Sequence, residues 1–451
     1  MNDGRKDALL ANRLNGLLEL LGRDKVLAVL HQHGTGRFCK RIDNVQLLWV
    51  IVGFGLFANK SYRELFRLIA ECGRALPTRA AICAARKRLP AAVLACLYEE
   101  LVGLLATPRS CPTAFYKGLR LMGIDGTLLD CYDSEVNRHF FQRPSNQSGS
   151  GAFPKLRLVT LAELGTRLLW RSVIGTYRDC ERTLAGQLLQ HLTSKQLLLA
   201  DRHFGVAPII YRLINGNIPF LIRAKKSHIF PVETQLADQS FLSRIYINKN
   251  DRVCKRPGKT IRVIRYTLED PARPGHREDH VLLTNLMSSK KHPAKELVCL
   301  YHERWQEEIA FGELKQRLHQ GRVLRSQSPE MVRQEVWGLL FAHFVIRTLV
   351  YQAAKRRGVA PSRISCTATI NILQLNLREA PRGQRASKRL RRGWLRQMLD
   401  DIRLEIMPLR KPRTNPRVIK KRSVARKTKH DYHRKPPPPN PCFASVIRIS
   451  I

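Results

Sequence analysis

Two periodicities divide the chain. Residues 9–105 carry apolar positions at helical spacing. The longest apolar run, Val45–Ala58, has 14 residues and predicts a core helix, since a membrane span needs more. Ser61 with Glu64 three residues on predicts a capping box ahead of the amphipathic stretch YRELFRLIAE. A turn at Pro77-Thr78 leads into RAAICAARKRL, where Ile82 and Leu89 are expected to face inward and Arg79, Arg86, Lys87 and Arg88 outward. Two short helices with a basic second face fit a helix-turn-helix, and they fit a solvated helix surface equally well.

Composition shifts at Thr107–Pro112, a predicted linker, and the period then falls to two. GLRLMGIDGTLLDCY predicts a strand ending near Asp130. A Ser/Gly/Asn loop from Arg143 and two more strands, KLRLVTLAEL and TRLLWRSVIG, follow. Glu181–Leu192 predicts a helix, QLLLAD from Gln196 a buried strand, Val206–Ile214 a helix, and IPFLIRA from Ile218 another strand. This succession predicts an α/β core with a mixed, partly antiparallel sheet. From Lys225 to His292 the pattern is strand-like and turn-rich, an all-β insertion. Glu296–Leu318 predicts one long helix, and Ser328-Pro329 opens another. After Gly383 the sequence is low-complexity and basic as far as Pro436–Pro439, and much of it is expected to be disordered.

Charge narrows the function. Among 451 residues there are 79 Lys and Arg against 36 Asp and Glu, a net +43, on an ordinary globular background of 44% hydrophobic residues. Such a balance implies a polyanionic partner; nucleic acid is the first candidate and an anionic membrane surface the second. The last 71 residues, Pro381–Ile451, hold 21 Lys and Arg against 4 Asp and Glu, but the rest is basic too, so a tail alone does not explain the balance. The first residues lack an apolar signal core, so export is not expected. Eleven cysteines stand singly, without CxxC pairs or zinc-type Cys-His spacing, as reduced thiols in a cytosolic protein would.

In so basic a chain, acidic residues at strand mouths are informative. Asp125 interrupts an apolar strand in GIDGT, and Asp201 ends the strand LLLAD, where α/β sheets place ligand-binding groups. Each could also be a turn former, or, for Asp201, a partner of Arg202. In YHERWQEEIAFGELK, Tyr301, Arg304, Glu308 and Lys315 follow at steps of 3, 4 and 7, one stripe of a regular helix. Such a stripe suits neither a core face nor a plain surface, though an ion-pair ladder would share its spacing. Glu307 and Glu313 fall off the stripe, and Trp305, one step off it, is expected in the core. Asp130 and Asp133 are expected in loops, His203 in a turn, and Lys155 and Arg157 on the second strand are candidates to reach DNA.

These motifs resemble those of prokaryotic DDE transposases of the insertion-sequence-4 family, over residues 15 to 350. The stripe matches the family's Tyr-(2)-Arg-(3)-Glu-(6)-Lys signature without a gap, and Asp125 and Asp201 match its catalytic aspartates. The resemblance implies a ribonuclease H-like mixed-sheet core over 113–224 and 293–352, with a β-rich insertion at 225–292. A helical N-terminal DNA-binding region over 1–108 and a basic C-terminal extension over 353–451, partly disordered, flank it. It implies Asp125, Asp201 and Glu308 as catalytic residues and ligands of two Mg²⁺ ions, with Mn²⁺ able to substitute. Tyr301, Arg304 and Lys315 would contact DNA phosphates. The implied activity is cut-and-paste transposition, in which phosphoryl transfer cleaves and joins strands. Double-stranded DNA, as transposon ends and target, is the implied partner of a homodimer in the cytoplasm, at the nucleoid and without a membrane. The alternatives are a catalytically inactive DNA-binding descendant and a basic RNA-binding protein.

Overall fold

The computed structural model describes residue 17 and residues 23–32, 44–69, 77–146, 149–225, 228–254, 257–273, 275–379, 388–408, 440 and 442–450. They belong to two compact units, Met1–His191 with Gln306–Met407, and Leu192–Trp305 with Pro408–Ile451. As the periodicity predicts, the architecture is mixed α/β.

The first unit begins with α1 (Arg23–Gln32), α2 (Asn44–Leu56), α3 (Tyr62–Ile69), α4 (Arg79–Lys87) and α5 (Ala91–Leu101). The expected capping box opens α3: the Glu64 N–H donates to Ser61 Oγ (3.3 Å), and the Ser61 N–H to the Glu64 carboxylate (2.8 Å). The turn needed for a helix-turn-helix, residues 70–76, lies outside the described residues. The strands β1 (Phe115–Tyr116) and β2 (Leu119–Asp130) follow, then α6 (Glu135–Phe141), the small ribbon β3 (Ser145–Asn146) and β4 (Gly149–Ser150), β5 (Lys155–Glu163), β6 (Leu168–Thr176) and α7 (Glu181–Leu188). β2, β5 and β6 form an antiparallel meander, with Asp125 opposite Thr160.

The second unit holds β7 (Gln196–Ala200), α8 (Ala207–Asn215) and β8 (Phe220–Arg223), with β7 and β8 parallel. β9 (Thr234–Gln235), β10 (Phe241–Ile245), α9 (Lys249–Val253), β11 (Lys259–Leu268) and β12 (His280–Thr284) make up the insertion, and β12 pairs antiparallel with β8. The expected all-β insertion thus contains a helical turn, because the Asn248 side chain accepts the Asp251 N–H (2.8 Å) and caps it. α10 (Ala294–Tyr301) follows β12 in this unit. After it, α11 (Trp305–Gly312), α12 (Pro329–Arg357), α13 (Cys366–Glu379) and α14 (Lys388–Ile402) build the rest of the first unit.

Two described parts of the basic end form regular elements. α14 lies within the low-complexity stretch, and β13 (Ile447–Ser450) pairs with residues 265–268 of β11. Residues 409–439 lie outside the described residues. The predicted linker is also fixed: the Leu105 and Ala106 amides donate to the buried Glu163 carboxylate (3.1–3.2 Å), and the Ser110 hydroxyl meets that of Tyr351 (2.5 Å).

α12 is the spine of the first unit. Its 29 residues are long and apolar enough to cross a membrane, yet 89% of its apolar window is buried, as in a core helix. α2 packs against it at glycine contacts. A Cβ on Gly338 would lie 2.2 Å from the Ile51 carbonyl oxygen, and one on Gly55 would lie 2.6 Å from Ala342 Cβ. Only hydrogen at these positions lets the backbones approach so closely.

Arg86 corrects the expected surface face of α4. Arg79, Lys87 and Arg88 are exposed, but Arg86 is fully buried. Its guanidinium donates to Gln334 Oε1 (2.9 Å), the Met331 carbonyl (2.7 Å), the Tyr62 hydroxyl (2.5 Å) and Ser326 Oγ (3.2 Å). A buried guanidinium is tolerable only when its donors are satisfied, and α3, α12 and the segment just before α12 supply the partners. Arg86→Ala is expected to cost about 3 kcal/mol or more in urea unfolding, by leaving several buried acceptors unpaired, while Arg79→Ala stays within about 0.5 kcal/mol.

Candidate active site

β2 positions the first aspartate. Alternate residues point to opposite faces of a strand, so Gly123, Asp125 and Thr127 share one face. Two contacts show what covers it. A Cβ on Gly123 would come within 2.4 Å of Glu307 Oε2, so the buried Glu307 side chain lies directly over that glycine. Four residues further along, Lys315 Nζ donates to Thr127 Oγ1 (3.1 Å). Asp125 therefore sits on the strand face that α11 and the following turn cover, between the points contacted by Glu307 and Lys315. Its Oδ1 accepts the Gly126 N–H (2.8 Å).

The opposite face of β2 is occupied by other charges. A Cβ on Gly126 would meet Glu181 Oε1 at 2.4 Å, and Glu181 pairs with Arg157 (3.2 Å). Arg157 is thereby turned away from Asp125, while Lys155 pairs with Asp130 at the strand's end. Asp130 is the last residue of β2, not a loop residue as expected; Asp133, in the loop, pairs with Arg143 and Arg138.

The segment expected as one helix from Glu296 to Leu318 is four pieces. α10 ends at Tyr301, a 3₁₀ turn spans His302–Arg304, α11 follows, and Glu313–Leu318 is a π-helical turn. The regular stripe is thus interrupted twice, and the chain passes from the second unit to the first between Trp305 and Gln306. Glu308 stands in the first turn of α11 beside Glu307 and is partly buried. Glu307 and Glu313, which fall off the stripe, are buried. Burial pushes the Lys315 pKa down, Asp130 acts against that, and Lys155 adds to it.

The second unit carries the remaining candidates. Asp201 follows β7, and its Oδ1 accepts the His203 N–H (2.7 Å), so it also shapes the local turn. α10, which ends in Tyr301, is set by Asp238: its carboxylate caps Ala294 (2.7 Å) and pairs with the buried Arg262, which also donates to the His292 carbonyl (2.7 Å). Burial pushes the Tyr301 phenol up to about 12; Arg304 and Arg223 act against this and the nearby Asp201 charge with it. The phenol is therefore neutral at physiological pH. Around it lies a cavity of about 500 Å³ lined by Arg223, Tyr266, His280, Tyr301, Arg304 and Trp305. Trp305 is 45% exposed, not core, because the 3₁₀ turn delivers it to the cavity. Cations beside aromatic faces make this a surface suited to phosphates and bases. Among the described residues, no three His, Cys, Asp or Glu side chains form a ready-made metal cluster.

Residues 118–345, just over half the chain, match the family model described as the transposase DDE domain, and residues 11–99 match the insertion element 4 transposase N-terminal. The chain belongs to the DDE transposases. This transposase is 26% identical over 429 residues to the transposase InsG for insertion sequence element IS4 of Escherichia coli (strain K12), with 92% of this chain and 93% of that one aligned. A solved piggyBac transposase synaptic complex with hairpin DNA shares 12% identity at a TM-score of 0.44, covering 86% of this chain and 85% of that one. The mixed α/β architecture and its succession of elements are those expected of a ribonuclease H-like DDE core, a family that generally uses divalent metal ions.

Glu313, Arg86 and Glu307 escape a reading based on helical steps, because the first two are buried by distant partners and Glu307 by packing over Gly123 of β2. Gly123 was the one available hint, a residue without a side chain two positions before Asp125. In Gly123→Ala the methyl group would collide with Glu307 and with Leu164 Cδ2 (2.7 Å). Its expected cost is about 1–3 kcal/mol in thermal or urea unfolding, from overpacking of α11 against β2. Ordinary stability in this variant would mean that α11 does not pack on the Asp125 face.

Proposed function

We propose that the chain is a cut-and-paste DNA transposase in which Asp125, Asp201 and Glu308 carry strand cleavage and strand transfer, while Tyr301, Arg304 and Lys315 hold the phosphates of the transposon end. The observation that carries the reading is the shared face of Gly123, Asp125 and Thr127 under Glu307 and Lys315. A carboxylate there stands one strand step from a cation bound at the same surface. The DDE family match and the net charge of +43 support a DNA partner. We propose the N-terminal helices as part of the DNA-binding surface.

The donor set fits hard divalent cations. Asp125, Asp201 and Glu308 offer only carboxylate oxygens, the ligand class that Mg²⁺ takes and Mn²⁺ shares. When bound, two such ions supply activation of the attacking oxygen and stabilisation of the leaving oxygen. The chain's own residues do the rest. Lys315 offers a point charge whose direction is set by Thr127, and Arg304 offers a planar fork to a phosphate. The neutral phenol of Tyr301 can donate one hydrogen bond without repelling an anion. Positioning of the phosphate by these groups lowers the barrier because phosphoryl transfer asks mainly for alignment and charge stabilisation.

The test is cleavage of DNA carrying the gene's own flanking sequence, with Mg²⁺ or Mn²⁺, comparing wild type with Asp125→Asn and Glu308→Gln. Discrete end cleavage lost by at least ~10³-fold in either variant, with end binding retained, is the expected result. Lys315→Ala should weaken end binding and lower the slope of log K against log salt by about 1. Wild-type binding without cleavage would instead identify an inactive descendant, and equal cleavage by wild type and variants would remove these carboxylates from the chemistry.

A further inference from the structure

We infer that Glu313 is a positioning residue for Lys315: anchored inside the first unit by Arg167 and Arg347, it holds the π turn that aims the Lys315 amine at the Asp125 face of β2. The inference deepens the reading of Lys315 as a phosphate contact and rests on that reading only where DNA is measured.

Glu313 opens the turn Glu313–Leu318 and is 6% exposed. Arg347 Nη1 lies 3.3 and 3.2 Å from its two carboxylate oxygens, Arg167 Nη1 lies 3.2 Å from Oε1, and His343 Nε2 lies 3.7 Å from Oε2. Arg347 is fixed in turn, because its Nε donates to the Thr166 carbonyl (2.6 Å) in the β5–β6 turn. Two separate parts of the unit, that turn and α12, thus grip one carboxylate. Burial alone would push the carboxyl up, but Arg347, His343 and Arg167 outweigh it and hold the pKa at about 2, so Glu313 is charged throughout the working pH range.

A buried carboxylate with such partners cannot swing towards solvent without stranding two buried guanidinium groups. The helix must therefore adapt to Glu313. In a regular α-helix residues two apart point to nearly opposite sides, about 200° apart at 3.6 residues per turn. Wider winding carries Lys315 less far round: the His319 N–H reaches back five residues to the Leu314 carbonyl (3.0 Å), not four. The Lys315 amine then ends at Thr127 Oγ1, one alternate position from Asp125. π turns often mark functional sites, and here the buried ion cluster supplies the cause.

Glu313→Gln strands two arginines and can unfold the chain. The decisive variant is therefore Glu313→Leu with Arg347→Met and Arg167→Met, which replaces the ion triad by apolar groups of similar size and is compatible with a stable fold. In the folded full-length chain, surface acylation of lysines read by mass spectrometry should show labelling of Lys315 rising about tenfold, with Lys155, which neighbours the same Asp130, unchanged. Unchanged Lys315 labelling in a folded variant overturns the inference. So does equal acceleration at both lysines, which would mean general loosening. In end binding, the variant should lose about tenfold and add nothing in a Lys315→Ala background, whereas additive losses overturn the coupling. Selective Lys315 labelling together with wild-type end binding by Lys315→Ala would uphold the positioning role and remove the phosphate-contact reading instead.

Discussion

The first unit depends on one interaction: the contact between polar side chains that an apolar helix carries into the core and groups from distant parts of the chain. α12 buries Gln334, Glu335, His343 and Arg347. Together they connect three parts of the unit. Gln334 takes the Arg86 guanidinium and donates to the Arg86 and Leu89 carbonyls (2.8 and 2.6 Å), which fixes α4. Glu335 accepts the Ser326 amide and hydroxyl (3.1 and 2.7 Å), which fixes the chain entering α12. Arg347 and His343 converge on Glu313. The N-terminal helices and the turn carrying Lys315 therefore depend on the same spine, and an unpaired polar group at any of these places would cost more than the bond it lost.

Local signals were legible in the sequence and long-range ones were not. β2, β5 and β6 follow from alternation, β7 from a short apolar run, and the capping box at Ser61 from a four-residue pattern, because all depend on neighbours within one turn or strand. Arg86 was misassigned because a basic helix position looks the same whether it faces water or a partner 248 residues away. The ends of the basic C-terminal stretch formed a helix and a strand because α14 buries Trp394, Met398 and Leu399 and β13 found β11, neither of which composition reports.

The signature segment shows the same limit at the candidate site. The residue types at 301, 304, 308 and 315 pointed to a family, and the family is borne out. The geometry inferred from their spacing was too regular. A 3₁₀ turn eclipses residues three apart, which brings Arg304 over Tyr301 beside one cavity. A π turn then alters the direction of everything after Glu313. Steps of 3, 4 and 7 describe one face only if every turn is α-helical, and two of these turns are not.

The π turn has an electrostatic origin. The chain has more than twice as many cations as anions, so a carboxylate that enters the core readily meets arginine: Glu163 meets Arg120, Glu181 meets Arg157, Asp238 meets Arg262, and Glu313 meets Arg167 and Arg347. Each pair costs desolvation and returns directional rigidity, since a bound guanidinium fixes the plane of its partner. In a protein whose proposed work is to hold phosphates against carboxylates, such pairs keep buried cations neutralised by fixed anions. The same surplus of arginine is thus used, inside the fold, to set the direction in which the Lys315 amine points.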